Sequence, residues 1–375
     1  SVGLRALVAG VSLLWLFPYV MLQQMGAGEA LVGLTDGVVP YWGGAALVTA
    51  FMILYVVLAG MRGVAWTDTV QGLFMLSIVW IAAAWVVSAV GGVGAATGAM
   101  LDARPDFGSF GGGTYTPGFI ISTAITIAFG VTMFPQINQR FFVAKSGETL
   151  KRSFVLWPVL VLLLFLPAFM LGAWAAGMPV EVPEGANVLP VVLNEYTPAW
   201  FAALVVAGAM AAMMSSSDSM LLSGSSYFTR DVYRPVINAD ASERREAWIA
   251  RIGVAVFALG AFVASLFRPG TLIEVGDTAF SGFALLALPV ICALYWDRTT
   301  RTGMIAGVLV PQVAYLSVVL SAVVGAVPTL PRTVAGGWDV ALGLMVLSAL
   351  LTVGVSLVTA PTADSDASRF AVAGD

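Results

Sequence analysis

The stretch Ala212-Met213-Met214-Ser215-Ser216-Ser217-Asp218-Ser219 places four hydroxyls and one carboxylate inside a long apolar block, and further serines follow at 223, 225 and 226. On a helix, Ser216, Ser219, Ser223 and Ser226 fall on one stripe. Serines in a membrane helix can simply join neighbouring helices or bond back to the preceding turn. Seven serines and a carboxylate are more than such helix contacts require. Oxygen ligands suit hard cations, so the stretch indicates a sodium site.

The composition around this stretch is that of a membrane protein. Of 375 residues, 59% are hydrophobic and only 10% are charged, and the mean hydropathy is +0.93. Soluble domains carry about 25% charged residues, so this chain could not build a water-facing surface. Its apolar blocks are about 20 residues long, the length that crosses the ~30 Å hydrocarbon layer as a helix. The sequence therefore predicts an all-α integral membrane protein with the lipid bilayer as its surroundings.

Ten blocks are predicted to span the membrane. They cover 4–33, 41–60, 67–92, 117–136, 153–177, 198–229, 247–267, 271–295, 302–326 and 338–359. Residues 1–360 thus form one transmembrane domain, and 361–375 form a short cytoplasmic tail.

Lysine and arginine predict the orientation of the spans, because cytoplasmic links are enriched in both. They concentrate in every second link, at Arg62, Arg140, Lys145, Lys151, Arg152, Arg230, Arg234, Arg244, Arg245, Arg251, Arg298 and Arg301. The alternating links are poor in both residue types. We therefore predict a multi-pass protein of the plasma membrane with both ends of this chain in the cytoplasm.

Charge and residue usage argue against several functions. The net charge is −4, histidine is absent, and Cys292 is the single cysteine. Nucleic-acid binding has no basic patch to support it, and an internal disulfide cannot form. The absence of histidine removes the commonest catalytic base and metal ligand. We expect no enzyme activity and no cofactor, with sodium as coupling ion.

Asp68 lies in the stretch Trp66-Thr67-Asp68-Thr69-Val70-Gln71, at the start of the third predicted span. Asp68 and Gln71 have the spacing of a capping box, which satisfies free N–H groups at a helix start. An acid at a membrane mouth can also attract a cation. The two interpretations are compatible, and the sequence leaves both open.

A second interruption occurs between Phe129 and Arg140, where a glycine, a proline and several amides end an apolar span. Non-helical backbone is tolerated at membrane depth only when it is buried in protein or lines water. The segment is therefore either a helix broken at a binding site or a helix that simply ends at Pro135.

Three stretches together resemble the sodium/solute symporter family, the carriers of sugars, proline, pantothenate and iodide. They are Gly60-Met61-Arg62-Gly63-Val64-Ala65-Trp66-Thr67-Asp68-Thr69-Val70-Gln71, Gln139-Arg140-Phe141-Phe142-Val143-Ala144-Lys145-Ser146, and Met214-Ser215-Ser216-Ser217-Asp218-Ser219-Met220-Leu221-Leu222 continuing to Thr229-Arg230-Asp231-Val232-Tyr233. The stretches occur in the family's order, and the resemblance covers the chain to about residue 325.

The resemblance implies a leucine-transporter-like fold of two inverted repeats and sodium-coupled symport of a small organic solute by alternating access. It implies that Ser215 and Ser216 bind sodium through their hydroxyls and Ala212 through its carbonyl. Asp68 would lie on the sodium exit path. The broken helix would line the substrate through Gly130, Thr132, Phe134 and Gln136.

Two departures from the family pattern shape the expectation. Gly130 and Val131 stand where the sugar carriers have an aromatic pair, which argues against a hexose. Matched by motif, the first span here is the family's fourth, so we expect three N-terminal helices to be absent from this sequence, the first core helix among them. The alternatives are a symporter-like sensor module of a signalling protein, a membrane enzyme and a channel.

Overall fold

The computed structural model describes residues 2–109, 115–325 and 330–360, and within this part the side chains of 58–65 are not described. Arg62 and the first half of the motif that begins at Gly60 therefore lie outside the described side chains. The predicted tail, 361–375, also lies outside the described residues.

The described residues form twelve α-helices and contain no strand, which confirms the all-α prediction. They are α1 (Val2–Leu34), α2 (Tyr41–Ala89), α3 (Val93–Ala103), α4 (Pro117–Met133), α5 (Pro135–Val143), α6 (Gly147–Ala175), α7 (Val188–Tyr196), α8 (Ala199–Tyr227), α9 (Glu243–Ser265), α10 (Leu272–Tyr295), α11 (Arg301–Val323) and α12 (Val340–Val358). A π-helical segment, Phe228–Ile237, continues α8.

Each of the ten predicted spans corresponds to a described helix, a part of one or a bent pair of helices, whereas α3 and α7 correspond to no predicted span. Eight described helical segments are long and apolar enough to cross a membrane, and α4 with α5 forms a bent ninth. The remaining predicted span is the shorter apolar part of α2, Tyr41–Val57, which precedes the part Trp66–Ala89. The hydroxyl oxygens of Tyr55 and Thr67 lie 2.5 Å apart. Residues twelve apart on one straight helix are separated by about 18 Å along the axis, so the two parts do not share one axis.

Two links that the charge pattern assigns to opposite sides of the membrane contact opposite ends of α1. At one end, Arg5 at the start of α1 pairs with Asp231 after α8, with 2.7 Å between Nη2 and Oδ1. At the other end, the Asn187 N–H before α7 donates to the Glu29 carbonyl near the end of α1. The assignment of the first end to the cytoplasm stays a prediction.

Helix α1 lies at the centre of the core and contacts α2, α8, α9 and α10. Polar side chains on its buried face are paired across long sequence separations. The Trp15 indole donates to Gln312 Oε1 at 2.6 Å, and Gln312 Nε2 donates to the Gly282 carbonyl at 2.8 Å. These two bonds join α1, α11 and α10. A polar group in a lipid-surrounded bundle must find such partners, because lipid offers none.

Candidate functional site

The segment between Phe129 and Arg140, where the sequence interrupts an apolar span, is a broken helix. Helices α4 and α5 meet at Phe134 with a bend of 51°. Phe134 is extended, with φ −63° and ψ 127°, and Pro135 begins α5. Proline disfavours the helical conformation in the residue before it and suits the first position of a helix. The interpretation that the helix simply ends at Pro135 is therefore wrong.

The Phe134 ring at this break is fully packed among aromatic side chains. Its centroid lies 4.3 Å from that of Phe283, 5.3 Å from Phe280 and 5.2 Å from Tyr19. We call these four residues the aromatic cluster. It joins the break to α1 and α10, so Phe134 at the break lies in the core of the bundle.

The four residues predicted to line a substrate do not share one surface. Gly130 packs so closely on α10 that a Cβ atom there would lie 2.3 Å from the Phe280 carbonyl oxygen. Phe134 and Gln136 are buried, and the Gln136 Oε1 atom has no hydrogen-bond partner among the described residues. Thr132 is exposed, and its hydroxyl donates to the Phe129 carbonyl. Three of the four therefore face the core, and Thr132 does not.

The predicted sodium ligands lie on the half-buried middle of α8. The Ser215 hydroxyl donates to the Ala212 carbonyl at 3.0 Å, which places two of the three predicted oxygens side by side. A hydroxyl that donates one hydrogen bond keeps two lone pairs, so Ser215 can still bind a cation. Ala212 and Ser216 are half-buried like Ser215. That these oxygens coordinate sodium stays a prediction.

Asp68 is held by an arginine from another helix. Arg140 Nη2 on α5 lies 2.6 Å from Asp68 Oδ2 and also donates to the Ser219 hydroxyl on α8 at 2.9 Å. We call this contact the Arg140 bridge. The chain is helical on both sides of Asp68, and one carboxylate oxygen of Asp68 pairs with this guanidinium. The structure thus adds an ion pair at Asp68, and a capping role for this residue stays a prediction.

A second carboxylate lies beside the Arg140 bridge. Asp218 is only 2% exposed, its Oδ1 atom has no hydrogen-bond partner among the described residues, and it repels Asp68 electrostatically. Asp218 thus adds a second carboxylate close enough to Asp68 for electrostatic repulsion, while Asp68 is the one that pairs with Arg140. Arg140 and Asp218 were not predicted as binding residues, although both lie in stretches that carry the family resemblance. Ionisable residues inside predicted spans were the available signal, because they are rare in membranes and usually functional.

The described acidic side chains do not cluster in the way that is typical of a multivalent metal site. Within 2–109, 115–325 and 330–360, no group of three or more Asp, Glu, Cys or His side chains converges. The oxygens near the middle of α8 are instead mostly neutral hydroxyls and carbonyls with one or two carboxylates. Such a set is suited to a monovalent cation that must also be released.

Known proteins similar to this chain include sodium-coupled symporters. Residues 2–311 match the model of the sodium:solute symporter family. A sodium/pantothenate symporter of Haemophilus influenzae is 25% identical over 315 residues, which cover 82% of this chain and 64% of that protein. A high-affinity proline transporter of Bacillus subtilis is 26% identical over 323 residues, covering 82% of this chain and 65% of the transporter. The chain thus spans less than two thirds of the length of these relatives.

The fold is also that of a solved structure. A sodium-coupled sialic acid symporter in its substrate-bound, outward-open state superposes with a TM-score of 0.74 at 20% identity. The match covers 96% of this chain and 75% of that one. The predicted leucine-transporter-like fold class is therefore confirmed.

Proposed function

This chain belongs to the sodium:solute symporter family. We propose that the protein, which we call the carrier, moves a small organic solute together with sodium by alternating access. The match of the family model to residues 2–311 is the observation that carries the proposal. Inward movement of sodium supplies the work, about 2.3 kcal/mol per charge for each 100 mV of membrane potential. The solute is accumulated at the expense of that gradient.

We place sodium at the middle of α8, with ligands from Ala212, Ser215 and Ser216. The Ala212 carbonyl and Ser215 hydroxyl already lie 3.0 Å apart, so one ion can contact both with little movement. Ser215 and Ser216 are about 100° apart around the helix axis and can straddle one ion lying against α8. Neutral oxygens bind sodium weakly enough for release in each cycle.

Sodium leaves past Asp68 in this proposal. The Arg140 bridge ties α2, α5 and α8 together, and it therefore closes the route between the serines and the predicted cytoplasmic end. A departing sodium ion competes with the guanidinium for the Asp68 carboxylate. Release and opening of the bridge are thereby coupled.

The solute binds next to the break between α4 and α5, bordered by Gly130, Phe134 and Gln136. The unpartnered Gln136 Oε1 atom is a hydrogen-bond acceptor for a polar group of the solute. Thr132 joins this surface only if α4 rotates. Relatives carry proline, pantothenate and monocarboxylates, which makes small carboxylates the first class to test.

Direct binding of radioactive sodium to the purified full-length carrier tests the sodium site without knowledge of the solute. Changing Ser215→Ala with Ser216→Ala should raise the half-saturating sodium concentration, because two ligands are removed without added bulk. Ser225→Ala is the matched control. Its hydroxyl makes the same local bond, to the Leu222 carbonyl at 3.0 Å, farther along α8.

The comparison of the two variants decides the assignment. We expect the double alanine carrier to fold normally, because a hydrogen bond lost within a membrane protein costs only about 0.6–2 kcal/mol. An unchanged half-saturation in the double variant, or an equal shift in Ser225→Ala, contradicts the site. Absence of saturable sodium binding in the unaltered carrier contradicts the proposed function itself.

A further inference from the structure

A cavity of about 220 Å³ lies between α1, α8 and α9, away from the sodium site. Its lining is almost entirely apolar and includes Leu13, Met220, Phe228 and Phe257. The Ser225 hydroxyl at its edge is already used, since it donates to the Leu222 carbonyl. Apolar cavities of this kind do not hold water. Their lining favours a hydrocarbon ligand.

A glycine keeps this cavity open. No atom lies within 4 Å of the position that a Cβ on Gly253 would take. A larger residue there would enter the cavity without meeting backbone. The neighbouring Val256 is 64% exposed at the surface of the bundle, so the cavity opens sideways toward the bilayer.

The depth of the cavity places it in one half of the membrane. Gly253 lies six residues inside the predicted span 247–267. Six residues of helix extend about 9 Å, less than half of the ~30 Å hydrocarbon layer, and Arg251 lies about 3 Å nearer the surface. An acyl chain that enters from the same surface as the start of α9 reaches this depth.

An exposed arginine without an ion pair among the described residues lies beside the cavity. Arg251 is exposed two residues before Gly253, and its guanidinium lies 5.6 Å from the ring centre of the exposed Trp248. Arg234 is already paired with Glu246 and Arg5 with Asp231, whereas Arg251 has no ion pair among the described residues. Tryptophan and arginine at this level are typical of the membrane interface, where basic groups attract anionic headgroups.

We propose that this cavity binds one acyl chain of an anionic phospholipid, with the headgroup phosphate at Arg251 and Trp248. The apolar lining fits the acyl chain, the lateral opening admits it from the bilayer, and the unpaired guanidinium selects the headgroup. The acyl chain then fills the space that Gly253 leaves against the last turns of α8. This proposal rests on the cavity and its charge, and it holds whether or not the sodium site is correctly assigned.

Photolabelling in nanodiscs tests the proposal with the full-length carrier. Phosphatidylglycerol and phosphatidylcholine, each with a diazirine in the middle of one acyl chain, are compared, and labelled residues are mapped by mass spectrometry. We expect phosphatidylglycerol to label Met220, Phe228 or Phe257. Gly253→Leu should abolish that labelling by filling the cavity, and Arg251→Gln should lower the preference for phosphatidylglycerol about fivefold.

Gly354→Leu is the control, because Gly354 on α12 also has no atom within 4 Å of its Cβ position. It should leave the labelling unchanged. Equal labelling by both lipids would overturn the headgroup assignment. Labelling that survives Gly253→Leu would overturn the cavity as the binding site.

Discussion

Replacing Gly130 by alanine tests whether the close contact between α4 and α10 holds this conformation together. The new Cβ atom would lie 2.3 Å from the Phe280 carbonyl oxygen and 3.0 Å from its carbonyl carbon. Favourable separations of such atoms are about 3.5–4.0 Å, so the two helices must move apart by roughly 1 Å. Both atoms belong to backbone, and no side-chain rotation can relieve the contact.

The magnitude follows from two opposing effects. Overpacking in a core costs typically 1–3 kcal/mol, and alanine is about 0.5–1 kcal/mol better than glycine within a helix. A net loss of about 1–2 kcal/mol changes the occupancy of this packed conformation by a factor of about 5–30. Thermal unfolding of the purified carrier measures the loss of stability. The labelling rate of a cysteine placed at Gln136, which is 8% exposed here, measures the occupancy.

Gly354→Ala on α12 is the matched control. The same added methyl group meets open space there, so stability should stay the same or rise slightly. Gly130→Ala should unfold at a lower temperature than this control, and its cysteine at position 136 should be labelled faster. If Gly130→Ala is as stable as Gly354→Ala, the contact with Phe280 does not hold this conformation and the reasoning fails.

Three further predictions concern charged groups and orientation. Asp68→Asn should slow sodium efflux from proteoliposomes at normal expression because the exit carboxylate is lost, whereas Arg140→Gln should speed it by removing the bridge. Unchanged efflux rates in both variants contradict the exit path. A cysteine at Gly147 should resist an impermeant thiol reagent in intact cells while one at Glu184 reacts, and equal labelling contradicts the orientation. Burial raises the pKa of the Asp339 carboxyl above its ordinary 3.8, so the stability it contributes is present at low pH and is lost as pH rises through the raised pKa. Asp339→Asn should remove this decrease in stability with rising pH from the profile of thermal unfolding. An unaltered profile contradicts the role of Asp339 in that decrease.

The spans could be predicted from sequence because each depends only on the local apolar length of the chain. The break at Pro135 could be located but not interpreted. Whether the backbone continues as a helix depends on the packing of α5 against α8, which is set by residues far along the chain. The family resemblance favoured the broken helix, and the structure confirms it.

The Arg140 bridge shows why the site itself was only partly predictable. Asp68 was singled out as an acid at a membrane mouth that could cap a helix or attract a cation, and neither interpretation named an arginine. The true partner of Asp68 lies 72 residues away and on another helix. No local pattern encodes that pairing, because the guanidinium reaches the carboxylate only after α2, α5 and α8 have assembled.

The bond between Trp15 and Gln312 has a consequence for biogenesis. The two residues are separated by 297 positions, and ribosomes add about 5–20 residues per second. Helix α1 therefore waits roughly 15–60 s for the partner of its indole N–H. Throughout that interval the Trp15 indole N–H is exposed on newly made α1, and lipid offers it no acceptor. Retention beside the insertion machinery, rather than immediate release into the bilayer, is the fate this geometry favours for the early chain.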